Sequence, residues 1–202
     1  MNDKKAESKA AFDRQAAGYD TGVQGQHARA LYPVLLAKLA HIPFGTLLDL
    51  GCGTGELLRL LLQADPSREV CGIDLSEKML AVARAKLPEE VPLLQADSEA
   101  IPFPDGTFDV VCCNDSFHHY PAPQTVLREV WRVLKPGGTF LLGDCWQPWP
   151  GRVLMNWYMR HSREGDVKIY AKAEMCAMLA QRFRDVSWQR VGGTACVAAA
   201  RK

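Results

Sequence analysis

The spacing of apolar positions along the chain changes several times, and each change marks an element. From residue 3 to 17 the spacing is helical, with Ala6, Ala10, Ala11 and Phe12 on one face, until Gly18-Tyr19-Asp20-Thr21-Gly22 breaks it. A second helix is predicted from about Gln24 to Ala40 through Ala28, Leu31, Leu35 and Leu39, with Pro33 predicting a kink or a split. Then the period drops. Leu47, Leu48 and Leu50 form a short apolar run that ends in glycines and passes into a leucine-rich helical pattern at Leu57, Leu58, Leu60, Leu61 and Leu62.

The alternation continues. Strands are predicted at Val70–Asp74, Val91–Asp97, Phe108–Asn114 and Thr139–Asp144, with Pro92 suited only to the first residues of its strand. Helices at Glu77–Lys86, after a Ser76 cap, and at Pro121–Leu134 separate them. The run at 108–114 is almost wholly apolar, as in a central strand covered on both faces. Past Asp144 the pattern loosens. Helices are predicted near Val153–His161 and Lys172–Arg182, with Met175, Met178 and Leu179 inward. Two last strands flank Gly192-Gly193 as a hairpin. Strands alternating with helices define an α/β protein with a largely parallel sheet.

A strand, a glycine turn and a helix in that order build a nucleotide-type site, because glycines allow a close backbone approach and the helix start offers free N–H groups. Asp74, closing the next strand, stands where α/β folds take ribose hydroxyls. The turn reads Gly51-x-Gly53-x-Gly55, with Glu56 where a dinucleotide site needs its third close-approach glycine. Asp49 at the strand end repels phosphates and favours a cationic ligand. These two features argue against a nicotinamide oxidoreductase.

The string Leu48-Asp49-Leu50-Gly51-Cys52-Gly53-Thr54-Gly55 closely resembles the first motif of class I S-adenosylmethionine-dependent methyltransferases. The string Leu127-Arg128-Glu129-x-x-Arg132-Val133-Leu134-Lys135-Pro136-Gly137-Gly138 resembles the same family, as a chain reversal. The look is that of its small-molecule branch, which includes ubiquinone- and menaquinone-biosynthesis-type enzymes. The resemblance implies a Rossmann-like, seven-stranded, mostly parallel sheet with an antiparallel C-terminal strand and helices on both faces. It also implies S-adenosylmethionine as cofactor and S-adenosylhomocysteine as product. Asp49, Gly51, Cys52, Gly53 and Gly55 would seat the methionine part with Asn114. Asp74 and Leu75 would hold the ribose, and Asp97 and Ser98 the adenine. Asp97 reads equally as a cap for Glu99-Ala100. Phe12-Asp13-x-x-Ala16-x-x-Tyr19-Asp20 resembles a lid segment, with Tyr19 touching the methionine end.

Methyl transfer to oxygen or activated carbon requires loss of a proton. Asn114-Asp115-Ser116-Phe117-His118-His119-Tyr120 follows the fourth strand, and His118 or His119 is the candidate base or a packing residue of the cofactor shelf. Enzymes that methylate adenine or glutamine nitrogens carry Pro-Pro and an aromatic here; this chain has Asp115 and Ser116. Residues 145–172 hold Trp146, Trp149, Trp157, Tyr158 and Tyr170 with Arg152, Arg160, Arg163 and Lys168. They read either as a cap over an apolar or planar acceptor, the basic groups meeting an anion, or as packing against the sheet.

Composition narrows this further. A net charge of +1 gives no field for nucleic acid, and 48% hydrophobic with 23% charged residues is an ordinary globule. There is no apolar run of about 18 residues to span a bilayer. The seven cysteines form no C-x-x-C pair and His27, His41 and His161 have no ligand spacing, so reduced thiols and no metal are expected. The polar start Met1-Asn2-Asp3-Lys4-Lys5 is unlike a signal core, which predicts a cytoplasmic protein. The reading is one domain over 1–202, with a helical lid at 1–41 and an acceptor cap at 145–172. Its activity is methyl transfer to a small-molecule acceptor by in-line displacement. The alternative is a sensor or pseudo-enzyme module that binds S-adenosylmethionine without transferring the methyl group.

Overall fold

A computed structural model describes residues 3–202, so Met1 and Asn2 of the predicted domain, lid and polar start lie outside it. Its centre is the sheet that the alternating pattern predicts. Strands β1 (Thr46–Leu50), β2 (Glu69–Asp74), β3 (Leu93–Gln95), β4 (Phe108–Asn114), β5 (Leu134–Cys145), β6 (Arg184–Val191) and β7 (Ala195–Arg201) lie in the order β3-β2-β1-β4-β5-β7-β6. Only β7 runs against the others. The order reverses between β1 and β4, which opens a crevice at the carboxyl ends of those two strands.

Alternation within the central strands sends side chains to both faces. Leu47 of β1 with Val110 and Cys112 of β4 face one core; Leu48, Leu50, Val111 and Cys113 face the other. The first core is closed by α2 (Gln26–Leu39), α3 (Glu56–Ala64) and α4 (Glu77–Arg84), through Leu31, Leu35, Leu39, Leu57, Leu58, Leu61, Leu80 and Ala83. The second is closed by α5 (Pro123–Val133) and α7 (Lys172–Ala180), through Val126, Leu127, Val130, Met175 and Leu179. Met178 is only partly buried. Helices α1 (Asp3–Gln15) and α6 (Trp149–Met159) join neither core and stand at the carboxyl end of the sheet, where α1 packs on α4.

Several local predictions shift. Pro33 neither splits nor ends α2, because its ring is exposed and the helix is held by the buried Leu31, Leu35 and Leu39 around it. Edge strand β3 is three residues long, since Pro92 has no N–H to give; its carbonyl accepts from Gly72 N at 3.0 Å instead. The Lys135–Gly138 turn is absorbed into β5 as an irregularity opposite Phe108 and Val110, with Gly137 at φ +80°. Helix α6 begins at Trp149, four residues earlier than its apolar spacing predicts. No helix among the described residues is long and apolar enough to cross a membrane.

Gly55 opens α3 at φ +73°, and a Cβ there would stand 2.8 Å from Leu87 Cδ1 and 2.9 Å from Ala83 Cβ. The position needs glycine twice over, for its left-handed backbone and for the close approach of α3 to α4. Gly55→Ala is therefore expected to lower unfolding free energy by on the order of 2 kcal/mol or more in urea; an unmoved midpoint would contradict the packing role.

Candidate active site

The turn after β1 sets the floor of the first cavity. Gly51 and Gly53 take φ of +74° and +51°, and a Cβ on Gly51 would fall 2.5 Å from Ser116 Oγ. Asp74 ties the turn to the next strand, its two carboxylate oxygens accepting from Gly53 N and Ser76 N at 2.8 Å each. The cavity measures about 100 Å³. Tyr19, Asp49, Gly51, Cys52, Gly53, Asp74, Leu75, Asp97, Ser98, Asn114 and His119 all line it, five separate sequence regions brought to one place. Gly55 does not: the spacing marks it as a binding glycine, and the structure uses it for helix packing. His118 does not line this cavity either.

Two orphaned oxygens point to the ligand's character. Asp49 Oδ1 and Asn114 Oδ1 are buried without a hydrogen-bond partner among the described residues. Burial, with the nearby charge of Asp74, pushes the Asp49 carboxyl up to about 8, so it holds a proton at neutral pH. A cationic ligand would ionise it. Asp97 is engaged on both sides, accepting from Glu99 N at 2.9 Å and from Lys5 Nζ of α1 at 2.7 Å. The capping reading of Asp97 thus describes one of its oxygens.

Helix α1 lies across this cavity with Lys5, Ser8, Lys9 and Phe12 among its walls. Polar ties fasten it and the turn behind it. Ser76 Oγ donates to Asp13 at 2.6 Å, Thr54 Oγ1 donates to Asp20 at 2.5 Å, and Lys86 pairs with Asp20.

A second cavity of about 300 Å³ adjoins the first, and Phe12, Tyr19, Asp115 and His119 line both. Its other walls include His27, His118, Cys145, Met155, Met159, Glu164 and Asp166. No lysine or arginine lines it, so the basic groups of residues 145–172 do not meet an anion there. Arg152 bonds to Gln147 O and Lys168 pairs with Glu174 instead. Nor does that segment pack on the sheet as a whole: Trp146 stacks edge-on against Trp188 and Tyr170 is buried, while Trp149, Trp157 and Tyr158 stand in solvent.

The two adjacent histidines are unlike. His118 Nδ1 lies 2.5 Å from Asp144 Oδ1, and His118 Nε2 lies 3.7 Å from Asp166. Burial opposes a charge on His118, but its neighbours Cys145 and Asp144 outweigh it and hold the ring well above its ordinary value. Burial and the charge on His118 push His119 down to about 3, which leaves it neutral and too weak a base to take a proton at neutral pH. His118, His119 and Asp166 bring ligand-type atoms within 4.8 Å of one another, as do His118, Asp144 and Cys145. His118 belongs to both sets and carries a proton, which opposes a metal. His27, with no motif spacing, pairs with Asp115 at 2.7 Å.

Sequence reasoning missed His27, Asp144 and Asp166. Asp144 closes a strand just as Asp74 does, so the strand-end rule that found the one applied to the other. His27 and Asp166 carry no local signal.

Residues 48–142 match the methyltransferase domain family. The sheet order is that of the Rossmann-like class I methyltransferase fold, and the match to the methyltransferase domain family covers just under half of the chain. It is 46% identical over 98 residues to a demethylmenaquinone methyltransferase of Lactococcus lactis, covering 46% of this chain and 39% of that one. To the enzyme of that name in Listeria welshimeri it is 35% identical over 159 residues, covering 75% of this chain and 64% of the relative. The chain therefore spans well under two thirds to just under two thirds of the length of these relatives. Among solved structures it resembles the 1,6-didemethyltoxoflavin-N1-methyltransferase of Burkholderia thailandensis with bound 1,6-didemethyltoxoflavin and S-adenosylhomocysteine. That match has a TM-score of 0.74 at 22% identity over 98% of this chain and 88% of the other.

The His118–Asp144 pair gives stability a sign against pH. Because the folded state raises the His118 pKa, its contribution is complete below about 6.5 and is lost as pH rises through the folded value. Asp144→Asn is expected to flatten that slope in denaturant titrations and to move the His118 ring titration downward by NMR; an unchanged titration would contradict the pairing.

Proposed function

We propose that the chain moves a methyl group from S-adenosylmethionine in the first cavity to a small-molecule acceptor in the second. The observation that carries this reading is the shared wall of Phe12, Tyr19, Asp115 and His119, which sets two chambers of different character side by side. When bound, S-adenosylmethionine supplies an electrophilic methyl group on a sulfonium. The residues of the first cavity fit it: the unpartnered Asp49 and Asn114 oxygens match an ammonium, the carboxylate of Asp74 suits ribose hydroxyls, and Asp97 with Ser98 would receive the adenine.

The chain's own work is positioning and proton handling. Helix α1 and Tyr19 exclude water from the junction, which favours a displacement that needs alignment more than covalent help. His118, oriented through Nδ1 by Asp144, takes the proton of an acceptor hydroxyl or activated carbon once the pH exceeds its raised pKa and the ring is neutral. Asp115, with His27 behind it, also fixes the junction. The relatives named demethylmenaquinone methyltransferase support a quinone-related aromatic acceptor. The large second cavity without lysine or arginine agrees with a neutral one.

Calorimetric titration with S-adenosylhomocysteine tests the first chamber. Asp74→Ala is expected to weaken binding by on the order of a hundredfold, as for loss of charge-assisted bonds, and to lower the melting temperature because Gly53 N and Ser76 N lose their acceptor; a folded variant with unchanged affinity would contradict the ribose role. Wild-type binding should tighten about tenfold per pH unit below the Asp49 pKa of about 8, with release of a proton. A pH-independent Kd would sink the Asp49 assignment.

Turnover with demethylmenaquinol-type acceptors tests the second chamber. His118→Asn should lower kcat by on the order of a hundredfold or more, with the affinity for S-adenosylhomocysteine intact. In the wild type, kcat/KM should rise with pH through a value above 6.5, as the raised His118 loses its proton. Binding of both adenosyl ligands without turnover on any acceptor would favour the sensor reading instead.

A further inference from the structure

Helix α6 presents its apolar residues outward. Trp149 is 70% exposed, Leu154 65%, Trp157 62% and Tyr158 56%, with Val153 beside them. At roughly 100° per residue these five side chains fill about half of the helix circumference. The helix is not simply loose. Its opposite face is pinned by buried Met159 and by Asn156, which donates to Ile169 O at 3.0 Å and accepts from Ile169 N at 2.8 Å. Lys4 Nζ of α1 binds the carbonyls of Met159 and Ser162 just beyond it. So the apolar half is held facing solvent.

Charge decides what covers it. From residue 145 to 163 there is no aspartate or glutamate, while Arg152, Arg160, His161 and Arg163 lie on or beside the helix, the last three exposed. A second copy packed by twofold symmetry would bring the same arginines against themselves. A surface of anionic headgroups over hydrocarbon satisfies both halves of the pattern. Tryptophan and tyrosine settle at that boundary, and arginines reach the phosphates.

We infer that the exposed face of α6 docks on an anionic phospholipid bilayer, lying in its surface without crossing it. Met155, part of that helix and 36% exposed, is also a wall of the second cavity, so docking sets the mouth of that cavity at the lipid surface. The docking stands on α6 alone and does not depend on methyl transfer.

Co-sedimentation of the full chain with vesicles tests it, with no cofactor present. One set contains phosphatidylglycerol and phosphatidylcholine in equal parts, the other phosphatidylcholine alone. Binding to the anionic set is expected to be stronger by on the order of tenfold or more. It should fall by at least about as much in Trp149→Ser/Trp157→Ser/Tyr158→Ser, and separately in Arg160→Glu/Arg163→Glu. Circular dichroism melts matching the wild type show that each variant is folded. Absence of binding by the wild type overturns the inference, as does equal binding by the folded variants. A stable dimer in sedimentation velocity that the triple serine variant dissociates would also overturn it, assigning the face to a second copy.

Discussion

Burying Asp49 at the carboxyl end of β1 is the constraint on which the site depends. The strand runs through the middle of the sheet, so its last residues are sealed from water by two cores and a glycine turn. A carboxyl group there with an unpartnered oxygen is costly, and keeping a proton is how it limits the cost. The site is thus poised for a positive ligand in a way that no surface carboxylate would be. Asp74, less deeply set, is treated differently: two backbone N–H groups bind it, and burial still raises its pKa. One acid is left hungry and the other is used to shape the loop.

The second chamber handles charge by pairing. Asp144 with His118 and Asp115 with His27 are two carboxylate–imidazole couples at this chamber. His119 between them is pushed neutral by burial and by the charge on His118. A run of two histidines in sequence therefore gives one proton carrier and one neutral wall. The difference arises from Asp144, a residue twenty-five positions or so downstream that only the β4–β5 pairing brings near.

What was legible in the sequence follows from this. The β1–turn–α3 unit and Asp74 could be read because each lies within one strand–helix–strand segment, where spacing maps directly onto geometry. The same reading misplaced Gly55, since a glycine spacing does not say whether the freed space admits a ligand or a neighbouring helix. The second cavity was out of reach: Gln24 and His27, Asp115 to His119, Cys145, and Met155 to Ile169 meet only through the sheet's crossovers. Helix α6 defeated the periodicity argument more directly. That argument takes the apolar side of a helix as the inside, and here Met159 and a polar Asn156 face in while Trp149 and Trp157 face out.

Helix α1 gives Lys5, Ser8 and Phe12 to one chamber and Ala11, Phe12 and Gln15 to the other. A single helix therefore forms a common wall. Displacing it would open both compartments together, with Phe12 on the boundary between them.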